Sequence, residues 1–136
     1  MRIPVIDACV AIKFFLPEEG FEKAGTLMNR YNRMISPDLF MVEFDAIIEK
    51  KVRQKLLDSD GAYELFNEIR KLPIEIISYS EISRLAIDLS VTLPISLCDA
   101  CYLAVAIEFD QQVITADNRF YRGIRGTPFE SNVIRL

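Results

Sequence analysis

Four acidic side chains occupy positions where an α/β protein would gather them at one end of its sheet. Asp7 directly follows a short apolar run, and Asp117 comes just after a second one, QVIT. Asp99 opens the apolar helical stretch that leads into that second run, and Glu43 lies one or two turns into another predicted helix. Because ligands of open parallel sheets collect beyond the carboxyl ends of the strands, we expect these four carboxylates to converge.

Each acid also has an ordinary structural explanation. Asp7 would serve as the N-cap of a helix, and Asp99 stands three residues after Ser96, the spacing of a capping box. Glu43 would be a partly exposed helix residue. Together, the four acids favour a functional site over four separate structural roles, because crowded carboxylates raise one another's pKa unless a cation compensates their charge. Oxygen-only ligands suit Mg²⁺ or Mn²⁺, which also bind substrate phosphate and assist phosphodiester hydrolysis.

The composition excludes several other kinds of site. The chain has no histidine, which removes Ser-His and Cys-His nucleophilic systems and imidazole metal ligands. Its net charge is −4, whereas a nucleic-acid binder that relies on a broad positive field is usually basic. A nucleic-acid substrate would therefore need cations or local basic patches. No Gly-rich phosphate loop is present, which argues against a nucleotide-binding domain.

The three cysteines, Cys9, Cys98 and Cys101, leave two interpretations open. Their odd number argues against a disulfide framework, and one CxxC without histidine falls short of a zinc site. Cys98 and Cys101 could form a redox pair, since a CxxC at the start of a helix lowers the thiol pKa, as in thiol oxidoreductases. The alternative is that both are small apolar residues facing the core.

The chain is expected to form one domain, residues 1–136, with a core made by the 51% of its residues that are hydrophobic. No apolar run approaches the roughly 20 residues of a membrane helix, and the start, RIPVID, is typical of a strand and not of a signal peptide. We therefore expect a cytoplasmic protein that does not bind membranes.

Strand and helix patterns alternate along the sequence, which predicts a parallel three-layer α/β fold. The expected strands are residues 3–6, 33–35, 74–77, 112–115 and 132–135, the last at an edge. Helices are predicted after Asp7 over 8–16, over 21–31, from Ser36-Pro37-Asp38, from 58–60, from Ser80 and over 95–108, whereas 118–126 is turn-like.

A basic segment closes the third predicted helix, and another basic stretch follows Asp117. Lys51 and Lys55 are four residues apart, so we expect them on the same helix face. Such runs are commonly solvated surface; the alternative is a set of contacts to phosphates of a nucleic-acid backbone. The candidates for those contacts are Lys50, Lys51, Arg53, Arg119 and Arg122.

These residues and their surroundings resemble the PIN domain family, and within it the VapC-type toxin ribonucleases of VapBC toxin–antitoxin pairs. The four stretches that carry the resemblance span nearly the whole chain in the family's order: VIDACVAIKFFLPEE, SPDLFMVEFDAII, LPISLCDACYLAVA and VITADNRFY. Each is weak alone, but four acids in order with these neighbours form a strong signal.

The resemblance implies a five-stranded parallel sheet of order 3-2-1-4-5 in a three-layer α/β/α fold. It further implies an endoribonuclease that depends on Mg²⁺ or Mn²⁺, and we expect its substrate to be single-stranded RNA. The implied catalytic and metal-binding residues are Asp7, Glu43, Asp99 and Asp117. Members of the family are commonly homodimers, and a cognate antitoxin lays helices on the toxin and blocks its acidic pocket.

Two positions depart from the family pattern. Cys9 stands where the family usually has Ser or Thr near the metal, and Ala46 stands where it often has Asn. A thiol is a weaker hydrogen-bonding group than a hydroxyl, so we expect altered support of the metal ligands. Thr115 keeps the usual TxD arrangement and is expected to support Asp117. A catalytically weak PIN-like module that only binds partners is therefore the main alternative to the nuclease.

Overall fold

All five strands form one parallel sheet in the order β3-β2-β1-β4-β5, as the resemblance predicts. A computed structural model describes residues 2–136. Strand β1 lies at the centre of the sheet and β5 at one edge, where it was expected. The strands are β1 (Val5–Ile6), β2 (Met34–Pro37), β3 (Ile74–Ile77), β4 (Val113–Thr115) and β5 (Val133–Arg135).

Helices alternate with the strands and complete the three-layer α/β/α arrangement. They are α1 (Ala8–Ala11), α2 (Phe21–Arg30), α3 (Leu39–Arg53), α4 (Ser59–Ile69), α5 (Tyr79–Thr92), α6 (Leu97–Glu108) and α7 (Asn118–Ile124). Two single turns of 3₁₀ helix cover Ile12–Phe14 and Glu130–Asn132. The predicted 8–16 helix is therefore shorter, because its α-helical part ends at Ala11 and the 3₁₀ turn that follows ends at Phe14. Within residues 2–136, no helix is both long and apolar enough to cross a membrane.

The register of the central strands brings two predicted site positions together. Ile6 of β1 pairs with Ile114 of β4, so the next residues along each strand, Asp7 and Thr115, are neighbours. The backbone N–H of Asp7 donates to the carbonyl of Ile114 at 3.2 Å and extends the ladder by one step. The carboxyl ends of β1 and β4 therefore meet at one edge of the sheet.

Helix α6 forms the centre of the core. Every residue from 100 to 106 is buried, and the helix packs against α5 and against β1, β2 and β4. A helix that is apolar all round in this way is stabilised by burial on every face. It begins as predicted after Ser96, whose Oγ accepts the N–H of Asp99 at 3.1 Å. Asp99 thus lies immediately before the buried run.

The predicted helix start at Ser36-Pro37-Asp38 is wrong, because Ser36 and Pro37 belong to strand β2. The Ser36 hydroxyl is fully buried and donates to the Ile6 carbonyl at 2.6 Å, which ties β2 to β1. Helix α3 begins one residue after Asp38. Asp38 instead accepts the N–H of Tyr79 at 3.1 Å, so helix α5 begins at Tyr79 and not at Ser80.

The turn-like prediction for residues 118–126 is also wrong, since Asn118–Ile124 is helix α7. Its N-cap is Asp117, whose Oδ1 accepts the N–H of Arg119 at 2.9 Å. Gly123 lets this helix approach the segment before α6 closely. A Cβ at position 123 would lie 2.8 Å from the carbonyl oxygen of Pro94, which is too close for any side chain.

Candidate metal centre

Asp7 is fixed at the carboxyl end of β1 by hydrogen bonds to both of its carboxylate oxygens. Its Oδ1 accepts the N–H of Cys9 at 3.4 Å as the N-cap of α1, and its Oδ2 accepts the hydroxyl of Thr115 at 2.7 Å. The side chain is only 7% exposed. Burial raises the pKa of Asp7, and the hydrogen bond from Thr115 opposes this shift.

Thr115 joins the two acids that follow the central strands. Its hydroxyl oxygen accepts the N–H of Asp117 at 3.0 Å while its one proton goes to Asp7. Cys9 Sγ lies 3.7 Å from the same hydroxyl oxygen and accepts the N–H of Ala116 at 3.4 Å. Because the Thr115 proton is already donated, the thiol must be the donor in its contact with Thr115.

Cys9 therefore acts here as a protonated thiol and not as a thiolate. Burial and the negative charge of Asp7 raise its pKa to about 12. The structure thus places both predicted supporting residues, Cys9 and Thr115, against Asp7. Their effect on a bound ion remains a prediction.

The charge of Asp99 is unfavourable in the metal-free protein. Burial, and then the negative charges of Asp117 and Asp7, raise its pKa to about 6. Ser96 opposes this shift and also accepts the N–H of Asp99, so the predicted cap is real. The cap uses the backbone N–H of Asp99, and its side chain lines a cavity with the other acids, so a capping role does not exclude a role in a metal site.

Glu43 is held by a residue that the sequence analysis assigned only to the core. The hydroxyl of Tyr102, a residue that is 1% exposed, donates to Glu43 Oε1 at 2.6 Å. Burial raises the pKa of Glu43, and the tyrosine hydrogen bond opposes the shift. Burial and the nearby acids raise the pKa of Tyr102, so it keeps its proton. The signal available in the sequence was that Tyr102 follows Asp99 by three residues and shares its helix face.

All four predicted acids line one cavity of about 320 Å³. Its other lining residues are Ala8, Cys9, Ala46, Ile47 and Lys50. One face of α3 forms a wall of this cavity, because the lining residues of that helix recur at helical spacing: Glu43, then Ala46 or Ile47, then Lys50. Wider concavities exist, including one of about 600 Å³ beside the loop that carries Asp117. That one mixes acidic and basic side chains, whereas the acids collect in the smaller cavity.

The donor set of this cavity fits a hard divalent cation. It offers carboxylate oxygens and a thiol that stays protonated, which matches Mg²⁺ or Mn²⁺ better than Zn²⁺. A cation would also relieve the mutual repulsion that raises the pKa of Asp99. Within residues 2–136, no three acidic or cysteine side chains lie close enough to ligate one ion directly. Mg²⁺ keeps several waters as ligands, so such an open arrangement suits it.

The predicted basic residues separate into three groups. Lys50 lies on the wall of the acidic cavity. Lys51 pairs with Glu18 at 3.0 Å, and Arg53 pairs with Glu49 one helical turn away. Arg119 and Arg122 are exposed on α7.

The expectation that Lys51 and Lys55 share a helix face is wrong. Helix α3 ends at Arg53, and Lys55 has a left-handed backbone with φ 58° beyond that end. The two lysines therefore belong to different local structures, and the predicted basic face does not extend past Arg53.

The CxxC differs from both interpretations of the sequence. Cys101 is buried in the core as expected, but Cys98 is exposed. Burial raises the pKa of Cys101 to about 11, and burial and the charges of Glu43 and Asp99 raise that of Cys98. A thiol oxidoreductase needs a lowered thiol pKa, so the acids beside this CxxC oppose that chemistry.

Comparisons with known proteins agree with the architecture. The PIN domain family model matches residues 5–124. A curated relative, Ribonuclease VapC3 of Pyrobaculum aerophilum, is 26% identical over 117 residues, which cover 85% of this chain and 89% of the relative.

Two solved structures share the fold. One is a toxin–antitoxin complex from Klebsiella pneumoniae, with a TM-score of 0.70, 18% identity and coverage of 96% of this chain and 95% of that one. The other is VapBC2 from Rickettsia felis bound to a DNA fragment from their promoter, with a TM-score of 0.68, 12% identity and 98% coverage of both chains.

Proposed function

Because the chain belongs to the PIN domain family, we propose that it is an endoribonuclease that hydrolyses phosphodiester bonds of single-stranded RNA with the help of Mg²⁺ or Mn²⁺. The observation that carries this proposal is the convergence of four carboxylates in one cavity of a protein without histidine. Such a cavity repels an RNA phosphate unless cations occupy it, so the metal and the substrate are proposed together.

Asp7, Glu43, Asp99 and Asp117 would hold the ion or ions. When bound, the metal would polarise the phosphoryl group and lower the pKa of water toward neutral values. The protein's part is to keep its carboxylates in place: Thr115 fixes Asp7, and Tyr102 fixes Glu43. Prearranged charges of this kind need no reorganisation when the phosphate becomes more negative in the transition state.

Lys50 is the candidate for direct contact with the RNA next to the reacting phosphate, since it lies on the cavity wall. Arg119 and Arg122 are exposed on the helix that Asp117 begins and would contact phosphates farther along the strand. Lys51 and Arg53 are proposed only as weak contributors, because each already pairs with a glutamate.

We further propose that the protein is the toxin of a toxin–antitoxin pair, acts in the cytoplasm and works as a homodimer. Support for the toxin role and the antitoxin partner comes from the name of the curated relative and from the toxin–antitoxin complexes that share the fold, whereas the cytoplasmic location and the homodimer are implied by the resemblance to the family alone. The partner would then be a cognate antitoxin protein that covers the acidic cavity. Copurification of such a partner, followed by RNA cleavage once it is removed, would test this part.

The nuclease activity is tested with purified, partner-free protein and a labelled single-stranded RNA. Cleavage is expected with Mg²⁺ or Mn²⁺, little with Ca²⁺ and none in EDTA, since Ca²⁺ holds its ligands in a looser geometry. Asp7→Asn should remove most of the cleavage, because a neutral amide replaces a charged ligand. Asp88→Asn, which changes an exposed acid of α5, is the matched control and should cleave normally.

Two results would contradict the proposal. Cleavage that survives both EDTA and Asp7→Asn would place the chemistry elsewhere or reveal a contaminating ribonuclease. A folded protein that binds its partner and never cleaves RNA with any divalent ion would favour the partner-binding module.

A further inference from the structure

The hydrogen bond between Tyr102 and Glu43 joins two elements that are far apart in the sequence. Tyr102 lies in the buried run of α6, and Glu43 lies in the second turn of α3. The ring of Tyr102 is enclosed by the core, so its hydroxyl has a fixed position. Glu43 is held from its own side as well, because its neighbours Phe40 and Phe44 anchor α3 with fully buried rings.

This contact makes the two oxygens of Glu43 unequal. Oε1 receives the tyrosine proton at 2.6 Å, a short hydrogen bond of the kind that charged acceptors form. Within residues 2–136, Oε2 accepts no hydrogen bond, so it is the freer oxygen of a residue that lines the cavity together with Asp7, Asp99 and Asp117. If both oxygens bound one ion, Oε1 would have to share its electron pairs between the cation and the tyrosine proton, which weakens that second metal–oxygen contact.

The number of oxygens that a carboxylate offers distinguishes between divalent ions. Ca²⁺ takes 6–8 oxygen ligands and readily accepts both oxygens of one carboxylate. Mg²⁺ demands near-octahedral geometry and keeps waters, so single oxygens from several carboxylates suit it. A fixed, one-oxygen Glu43 therefore disfavours the larger ion.

We propose that Tyr102 is a positioning residue that restricts Glu43 to one coordinating oxygen and thereby favours Mg²⁺ or Mn²⁺ over Ca²⁺. The inference rests on the proposed function, since it requires that Glu43 faces a divalent ion. It goes beyond that proposal because it assigns the choice of metal to a core tyrosine and not to the four acids alone.

The test measures metal binding to the full-length protein without RNA. Isothermal titration gives Kd for Mg²⁺ and for Ca²⁺ with the wild type, with Tyr102→Phe and with Tyr31→Phe, a half-buried tyrosine away from the cavity. Tyr102→Phe keeps the ring and removes only the hydroxyl. We expect the ratio of the Ca²⁺ Kd to the Mg²⁺ Kd to fall roughly tenfold, the size of effect that outer contacts of metal ligands have. Tyr31→Phe should leave the ratio unchanged.

The same measurement in a Glu43→Ala background separates positioning from a general loss of structure. If Tyr102 acts through Glu43, adding Tyr102→Phe to Glu43→Ala should leave the ratio unchanged. An unaltered ratio in the single variant, equal weakening of both ions, or an effect that persists without Glu43 would each overturn the inference.

A second measurement uses the wild type, so that it holds even if Tyr102→Phe fails to fold. Infrared difference spectra report whether a carboxylate binds through one oxygen or two, and the band missing in Glu43→Ala identifies Glu43. A one-oxygen band is expected with Ca²⁺ as well as with Mg²⁺, and a two-oxygen band with Ca²⁺ would contradict the inference. RNA cleavage is assayed in parallel. If the wild type cleaves RNA but Tyr102→Phe leaves the ratio of the two Kd values unaltered, only the role of Tyr102 is refuted. If the ratio shifts but the wild type does not cleave RNA, only the proposed nuclease activity is refuted.

Discussion

Thr115 Oγ1 lies 2.7 Å from Asp7 Oδ2, so a hydroxyl at the end of β4 holds the carboxylate that follows β1. The same oxygen accepts the N–H of Asp117 at 3.0 Å. One side chain thus satisfies a buried acid on one strand and the backbone beside a second acid on the next. The spacing between these two acids is consequently set by the pairing of the central strands.

Thr115→Val should damage both stability and activity, because valine keeps the shape and removes the hydroxyl. The buried Asp7 carboxylate and the Asp117 N–H each lose a partner, which costs about 1–3 kcal/mol of unfolding free energy. RNA cleavage should fall by roughly tenfold or more as Asp7 loses its support. Urea unfolding and a cleavage assay measure the two effects.

Thr92→Val is the control. The Thr92 hydroxyl donates only to backbone carbonyls of α5, so its loss should cost less than about 0.5 kcal/mol of unfolding free energy. Equal losses in both variants would refute the specific role of Thr115.

Asp99→Asn should abolish cleavage and leave the metal-free protein as stable as the wild type, or more stable. The amide removes a charge that burial and three other acids make unfavourable, while Ser96 keeps its hydrogen bond to the backbone of residue 99. Ser96→Ala removes that cap instead and should cost about 1 kcal/mol. Thermal unfolding in EDTA compares the two variants. A large loss of stability in Asp99→Asn would mean that its carboxylate mainly supports the helix.

The stability of the metal-free protein should decrease as the pH rises from about 4 to above about 6, and the Asp99 pKa sets this window. In the native state Asp99 has a pKa of about 6, so it still holds its proton at pH values at which the unfolded chain has already lost it. The pKa values of Asp7 and Glu43 are raised as well and act in the same direction. Native protein then binds more protons than unfolded protein, so raising the pH favours unfolding. After allowance for solvent screening, the ionisation of Asp99 should lower the free energy of unfolding by roughly 1–2 kcal/mol.

Urea unfolding in EDTA at several pH values measures this dependence. Saturating Mg²⁺ should flatten it, because the ion compensates the carboxylates at neutral pH. Asp99→Asn should also reduce the slope. A metal-free protein that gains stability between pH values of about 5 and 7 would show that these acids do not repel one another.

Lys50→Gln should weaken RNA binding more than changes at the neighbouring basic residues. Lys50 lies on the cavity wall, whereas Arg53 is exposed and pairs with Glu49. We expect KM to rise severalfold with a smaller change in kcat. The magnitude of the slope of the logarithm of the RNA binding constant against the logarithm of salt concentration should decrease by the amount that one phosphate contact contributes. Arg53→Gln is the matched control and should change both values little. A larger effect of Arg53→Gln than of Lys50→Gln would reverse this assignment.

The sequence predicted the positions of the acids well, because they depend on a simple rule of parallel sheets. Asp7 and Asp117 follow apolar runs that pair as neighbours, and the carboxyl ends of such strands must lie together. The helix that carries Asp99 was also predictable, since Ser96 and a long apolar stretch mark its start.

Contacts between distant segments could not be predicted in the same way. The sequence indicates only that Tyr102 is a core residue. Its hydrogen bond to Glu43 depends on how α6 and α3 are arranged in the fold. Ser36 and Pro37 have the local signature of a helix start, but pairing with the neighbouring strands keeps them in β2. Helix α7 contains Phe120, Tyr121 and Gly123, which have weak helix propensity, so the sequence did not predict it. The cap by Asp117 and the close approach to Pro94 stabilise it.

The close approach at Gly123 has a consequence for how such a protein would lose its activity over evolutionary time. Any side chain acquired at this position would push α7 away from the Pro94 carbonyl. The starts of α6 and α7, which carry Asp99 and Asp117, would then separate while the sheet and the core persisted. Under the proposed function, such a descendant would retain all four acids and lose cleavage, so we expect the residue that matches Gly123 to matter for activity beside the acids themselves.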